Sequence, residues 1–216
     1  MNNIKIAIID YGMGNLRSVA NAFSAIGHPS SIIQNPNELC KSSHIVLPGV
    51  GAFGDGMKNL HSSGWRDILE KEVIEKRKPF LGICLGMQLL ATTGTEHGLH
   101  QGLNWIPGIV TRMESKDPKV RIPHIGWNDV LFLKKDGLYK DLGDSQTFYF
   151  VHSYKFELEN KSSAISGLTS HGTDFISSLE INNIYATQFH PEKSQKFGLK
   201  ILENFINSTV KNTPST

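Results

Sequence analysis

A chain of 216 residues, 39% of them hydrophobic and 19% charged, carries enough apolar material for its own core and needs no disulfide or metal staple. Lysine plus arginine number 22 and aspartate plus glutamate 20, a formal net charge of +2 with no long basic run, which leaves no nucleic-acid footprint. Two cysteines, Cys40 and Cys84, are too few for a secreted disulfide scaffold, and no apolar run approaches the roughly 18 residues of a membrane helix, so the expectation is a soluble cytoplasmic protein with reduced thiols and no membrane partner.

The first two-thirds alternates strand-like and helix-like text. Ile4 to Ile9 is β-branched and almost entirely apolar, as in a strand covered on both faces. Gly12 and Gly14 follow, then a helix from Leu16 to Ile26 that ends at Gly27. Ser31 to Gln34 is a weak second strand, and His44 to Leu47 a third that Pro48-Gly49 stops. Trp65 to Lys78 has the pattern of a charged amphipathic helix, Pro79 to Ile83 that of a buried strand, and Leu85 to Ala91 that of a helix. This rhythm predicts βαβ units and a mostly parallel sheet.

After Gly102 the pattern changes. Segments 108–113, 122–133, 147–158, 163–168, 175–181 and 184–189 are strand-like and are separated by Gly, Asn, Asp and Lys turns. Ser194 to Val210 is helical, with Phe197, Ile201, Leu202, Phe205 and Ile206 near helical spacing. The expected architecture is α/β: a mostly parallel central sheet flanked by helices, with an additional antiparallel region in the second half. One domain over residues 1–210 and a frayed tail at 211–216 fit the length.

Gly82-Ile83-Cys84-Leu85-Gly86 has the form glycine, any residue, nucleophile, any residue, glycine. Such a side chain stands on a tight turn between strand and helix, where small flanking residues let the backbones approach. The helix N-terminus favours a thiolate, and the Leu85 amide beside it can serve an oxyanion hole. The plainer reading is a buried structural cysteine in a glycine-rich turn. A nucleophilic thiol needs a base. His190 ends the segment ATQFH and opens His190-Pro191-Glu192, where a carboxylate two residues on can orient the ring. His152 in FVHSY and His124 in PHIGW are rivals, and spacing does not choose among them. Pro48 to Gly56 holds four glycines and can offer a second oxyanion donor, but it lacks a Walker lysine-serine ending and does not match the dinucleotide fingerprint. Asp10 to Asn15 falls short of that fingerprint too, and no Cys/His spacing suits zinc, so neither cofactor nor metal is expected.

Taken together, GICLGMQ around Cys84, PGVG at 48–51 and QFHPEKS at 188–194 resemble the class I (triad) glutamine amidotransferases. Within that family, IDYGMGNLRSV at 8–19, PGVGAFGDGM at 48–57, PHIGWN at 123–128 and YFVHSY at 149–154 resemble the glutaminase subunits of imidazole glycerol phosphate synthases. The resemblance spans residues 4 to 207 and implies a flavodoxin-like fold. It implies that Cys84 attacks the side-chain amide of L-glutamine, that His190 handles the proton and that Glu192 holds the imidazole. It further implies oxyanion donors from Leu85 and from Val50 or Gly51, and glutamine contacts from Gln88, Glu96 and Ser153. Ammonia would pass to a (β/α)8 barrel cyclase subunit in a heterodimer, with Asn15, Arg17, Trp127 and Lys193 at the interface. An alternative inside the fold is a paralogous subunit that supplies ammonia for a surface polysaccharide sugar.

Overall fold

The computed structural model describes residues 4–160 and 164–208. The expected tail, the last two residues of the predicted C-terminal helix and residue 163 of the predicted strand at 163–168 lie outside the described residues. The first half contains strands β1 (Ile6–Ile9), β2 (Ser30–Ile33), β3 (His44–Gly49), β4 (Phe80–Cys84), β5 (Thr93–Gly94) and β6 (His100–Gln101). The second half adds β7 (Gly108–Arg112), β8 (His124–Phe132), β9 (Ser145–His152), β10 (Tyr154–Leu158), β11 (Ile165–His171), β12 (Thr173–Ile181) and β13 (Ile184–Thr187). The helices are α1 (Leu16–Ala25), α2 (Phe53–Ser62), α3 (Trp65–Leu69), α4 (Leu85–Gln88) and α5 (Gln195–Ile206).

Nine strands form one sheet in the order β2-β1-β3-β4-β13-β12-β11-β8-β9. The first five run parallel, with β1 between β2 and β3, and β13 docked on β4. The remaining four continue the same sheet antiparallel. A second sheet of four strands, β10-β7-β5-β6, packs beside it. Two-sided burial explains the apolar runs. Along β1, Ala7 and Ile9 join one core with Leu47, Leu60, Trp65 and Leu85, while Ile6 and Ile8 join the other with Val19, Phe23, Ile201 and Phe205. Asn15 starts α1 by accepting the Ser18 amide, and Gly27, at φ +80°, carries the chain away from its end.

Four local differences from the predicted elements have physical causes. Residues 53–62 form α2, although glycine is a poor helix former. Gly56 is there for contact: a Cβ on it would sit 3.2 Å from Leu89. The helix predicted over 65–78 widens after Leu69 into a π-helical stretch at 70–75, with the Lys76 amide bonded to the Lys71 carbonyl. There the buried Glu72 meets Lys76 at 2.7 Å and Lys78 at 2.6 Å. The helix after Cys84 stops at Gln88, three residues before the predicted end. The strand predicted over 147–158 breaks at Ser153, because β9 belongs to the large sheet and β10 to the small one.

Candidate active site

The parallel strands β1, β3, β4 and β13 share a carboxyl edge, and the loops leaving that edge hold the predicted site. Ligands of open α/β sheets bind in this position. Cys84 ends β4 with φ +54° and ψ −107°, a conformation costing about 1–3 kcal/mol for a residue other than glycine. The flanking glycines make room for it. A Cβ on Gly82 would lie 2.6 Å from the Gly86 carbonyl oxygen, and one on Gly86 would overlap the Leu47 carbonyl oxygen. Gly86→Ala is therefore expected to lower the unfolding free energy by at least about 2 kcal/mol in urea titration, an overpacking cost against backbone that cannot rotate away. An unchanged midpoint would mean that the turn has slack.

Around the Cys84 sulfur stand the Val151 carbonyl at 3.9 Å and Gln188 Nε2 at 3.7 Å. His190 is buried on the turn after β13. Its Nδ1 donates to Glu192 Oε1 at 2.8 Å, while Nε2 bonds no nitrogen or oxygen among the described residues and has the Cys84 sulfur as its one interaction. The Glu192 side chain is itself only 2% exposed, so the carboxylate is withheld from bulk water. The turn is locked: Ser194 Oγ donates to the His190 carbonyl at 2.6 Å and accepts the Tyr149 amide at 3.0 Å. Burial works against a charged His190, but hydrogen bonding and attraction from Cys84 and then Glu192 outweigh it, and the imidazole is held well above its ordinary pKa.

The rival histidines are occupied. His152 Nδ1 donates to the Tyr154 carbonyl at 2.8 Å. A neutral ring then leaves Nε2 as an acceptor, which takes the His124 Nδ1 proton at 3.0 Å. His124 Nε2 in turn accepts from Asn128 Nδ2 at 3.2 Å. Burial chiefly pushes His152 down to about 4 and His124, also beside His152 and His171, to about 3. Both rings are neutral at pH 7 with their nitrogens spoken for.

A cavity of about 430 Å³ opens over the thiol. Val50, Gly51, Leu85, Gln88, Glu96 and Ser153 line it with Cys84, so the predicted oxyanion and glutamine contacts share one chamber. Gly51 has φ +102°, and Glu96 Oε2 accepts the Phe53 amide at 2.9 Å, which satisfies the start of α2. Ser153 sits at the corner where the chain changes sheets. The four predicted interface residues are outside this chamber and are exposed. Trp127, 49% exposed on β8, meets the Tyr149 ring edge to face at 6.0 Å, and Lys193 Nζ lies 5.6 Å over that ring, so these three make one patch. Asn15 and Arg17 stand at the start of α1, a helix that packs beside the turn at 191–193. Two neighbours of the candidate residues were not singled out from the sequence. Tyr149 required knowledge of the β8–β9 register, Trp127 opposite Tyr149. Gln188 was signalled by alternation, since it lies two residues before His190. Among the described residues no group of three His, Cys, Asp or Glu could hold a metal, and no helix is long and apolar enough to cross a membrane.

A strand-ending cysteine on a glycine-flanked turn, beside a histidine–glutamate pair, matches a known class of protein. The family model for glutamine amidotransferase class-I matches residues 7–208, and the chain belongs to that family. It is 48% identical over 200 residues to the imidazole glycerol phosphate synthase subunit HisH 1 of Campylobacter jejuni subsp. jejuni serotype O:23/36 (strain 81-176), covering 93% of this chain and 98% of that one. It is 46% identical over 211 residues to the subunit HisH of Aquifex aeolicus (strain VF5), covering 97% and 100%. A chain of the solved PurLQS structure from Thermotoga maritima has the same fold, with a TM-score of 0.72 at 16% identity over 94% of this chain and 98% of that one.

Proposed function

We propose that this chain is the cytoplasmic glutaminase subunit of an imidazole glycerol phosphate synthase. It hydrolyses L-glutamine and hands ammonia to a (β/α)8 barrel cyclase subunit that makes imidazole glycerol phosphate and the aminoimidazole carboxamide nucleotide. The observation that carries the reading is the chamber over Cys84, whose floor is a thiol and whose neighbour is a His190 oriented by Glu192. The similarity to HisH subunits across nearly the whole chain supports the choice of partner.

In this reading Cys84 attacks the amide carbon of glutamine. His190 Nε2, free of other partners, receives the thiol proton and delivers it to the departing ammonia. His152 and His124 are unsuited to that role, because their ring nitrogens are already committed. The oxyanion is met by the Leu85 amide and by that of Val50 or Gly51. Water then hydrolyses the glutamyl thioester. Gln88, Glu96 and Ser153 hold the amino-acid end of the substrate. Ammonia loose in water at pH 7 is mostly protonated and no longer nucleophilic, which is why a partner is docked. Asn15, Arg17 and the Trp127–Tyr149–Lys193 patch form its seat.

The test is to purify the chain with its barrel partner, supply glutamine and the formimino carboxamide nucleotide, and follow glutamate and imidazole glycerol phosphate together. Equal formation of the two is expected. Glutamate without the imidazole product would assign the ammonia to another acceptor, such as a polysaccharide sugar.

Glu192→Gln is expected to lower kcat about 10²-fold, the lower end of what positioned acid–base catalysis supplies. Its pH profile carries a sign. The carboxylate favours the imidazolium, so removing it lowers the pKa of His190. The proton needed by ammonia is then lost earlier as pH rises, and the alkaline limb of kcat moves to lower pH. A limb that stays in place would remove Glu192 from the proton-handling unit.

A further inference from the structure

We infer that Gln188 is a catalytic residue of this site: its side-chain amide donates to the Cys84 sulfur and favours the thiolate. The inference rests on the glutaminase reading, since it assigns the sulfur as the reacting atom. Gln188 is fully buried, and its own amide N–H is pinned to the Ser177 carbonyl. The orientation of its side chain follows from the neighbours. The Tyr154 carbonyl can only accept, so the Gln88 group 3.1 Å from it is Nε2. That same Gln88 Nε2 lies 3.0 Å from Gln188, which must therefore present Oε1. Gln188 is left with Nε2, two hydrogens and a sulfur 3.7 Å away.

Besides His190, its proton partner, the sulfur has two further neighbours of unlike kind. The Val151 carbonyl, at 3.9 Å, can take the proton of a thiol but has nothing to give a thiolate. The Gln188 amide is a donor, and a donor interacts more strongly with a charged acceptor than with a neutral one. Among the described residues the sulfur is the one hydrogen-bond acceptor of this group. The amide also ties the nucleophile to the substrate chamber, because Gln88 both lines the cavity and holds Gln188 in place. The Tyr154 carbonyl fixes the far end of the chain, and it is braced a second time by His152.

The test uses the whole chain in a Cys40→Ser background, which removes the exposed second thiol. Alkylation of Cys84 by iodoacetamide is followed against pH, a readout that needs no glutamine and no partner. Gln188→Met keeps the side chain's length and removes the donor; it also removes the acceptor of Gln88 Nε2, which keeps its bond to the Tyr154 carbonyl. The midpoint of the alkylation profile is expected to move about one unit toward higher pH. In the complex with the barrel subunit, kcat for glutamine should fall about tenfold with KM within about twofold, the split of a group that acts on the reacting atom. A merely structural glutamine would change stability and leave the alkylation profile alone, and that outcome overturns the proposal. Should Gln188→Met fail to fold, the wild-type protein decides. The side-chain amide protons of Gln188, followed by nuclear magnetic resonance, are expected to shift with pH in step with the ultraviolet absorbance of the thiolate. Amide protons indifferent to that titration also overturn it. Loss of the glutaminase reading itself would show as a complex with the barrel subunit and its nucleotide that is inactive on glutamine, while the alkylation profile of the chain still answers to Gln188.

Discussion

Replacing Cys84 by alanine is expected to abolish glutamine hydrolysis, a loss of about 10⁴–10⁶-fold, while the fold survives. Alanine accepts the strained turn no worse than cysteine, and the vacated volume is a single sulfur at the floor of an open chamber. Cys40→Ala is the control. Its thiol is exposed on the 3-10 turn at 36–41, and its loss should leave turnover near wild type. His190→Ala should be about as damaging as Cys84→Ala, and the double variant little worse, because members of one catalytic unit are not additive. Steady-state glutamate release, with urea unfolding as the check on structure, separates these outcomes. If Cys84→Ala and Cys40→Ala behave alike, the nucleophile is elsewhere.

The second large effect is coupling. The chain alone is expected to be a poor glutaminase, and the barrel subunit with its nucleotide should raise turnover by about 10²–10³-fold, the worth of one oxyanion donor. The motive lies in the loop at 48–51. Val50 is 44% exposed between Gly49 and Gly51, so the peptide units around it turn at low cost. One orientation aims an amide at the developing oxyanion and the other aims a carbonyl there. A liganded partner that binds the first orientation better shifts the population toward it. Gly49 itself is no place for a substitution, since a Cβ would run into the Tyr11 hydroxyl and lie 2.9 Å from the Leu85 side chain. Val50→Pro is the sharper probe: it removes the amide hydrogen and stiffens the loop together. Stimulation by the partner should collapse while glutamine affinity changes little. Equal turnover for chain alone, complex and complex with nucleotide would sink the gating idea.

Much of the parallel half was legible because its cause is local. A run such as Ile4–Ile9 is apolar at every position only if both faces are covered, and both faces of β1 do meet cores. Gly82 and Gly86 around Cys84 declared a tight strand-to-helix turn, since no other residue tolerates the approach of the Leu47 and Gly86 carbonyls. Local signals misled where packing overrode propensity. Glycines hid α2, whose Gly56 is selected by contact with Leu89 rather than by helix preference. Nor did the text of 147–158 contain the break at Ser153, which exists because two sheets compete for one strand.

The sequence by itself therefore determined the architecture, the tight strand-to-helix turn at Cys84 and a short set of candidate bases. Only the tertiary structure distinguishes the histidines by their bonding. That distinction depends on which ring nitrogens are already bonded, and the bonds are made by residues far apart in the chain: His124 to His152 across β8 and β9, and His152 to a carbonyl at the sheet corner. His190 keeps Nε2 clear of every nitrogen and oxygen of the described residues, and so open to the Cys84 sulfur, because its own partner, Glu192, comes from the same turn and takes only Nδ1. Gln188 followed the same logic, since the direction of its amide is set by Gln88, a hundred residues away, and by the Tyr154 carbonyl. Hydrogen-bond occupancy is a property of neighbours in space, and periodicity along the chain carries no record of it.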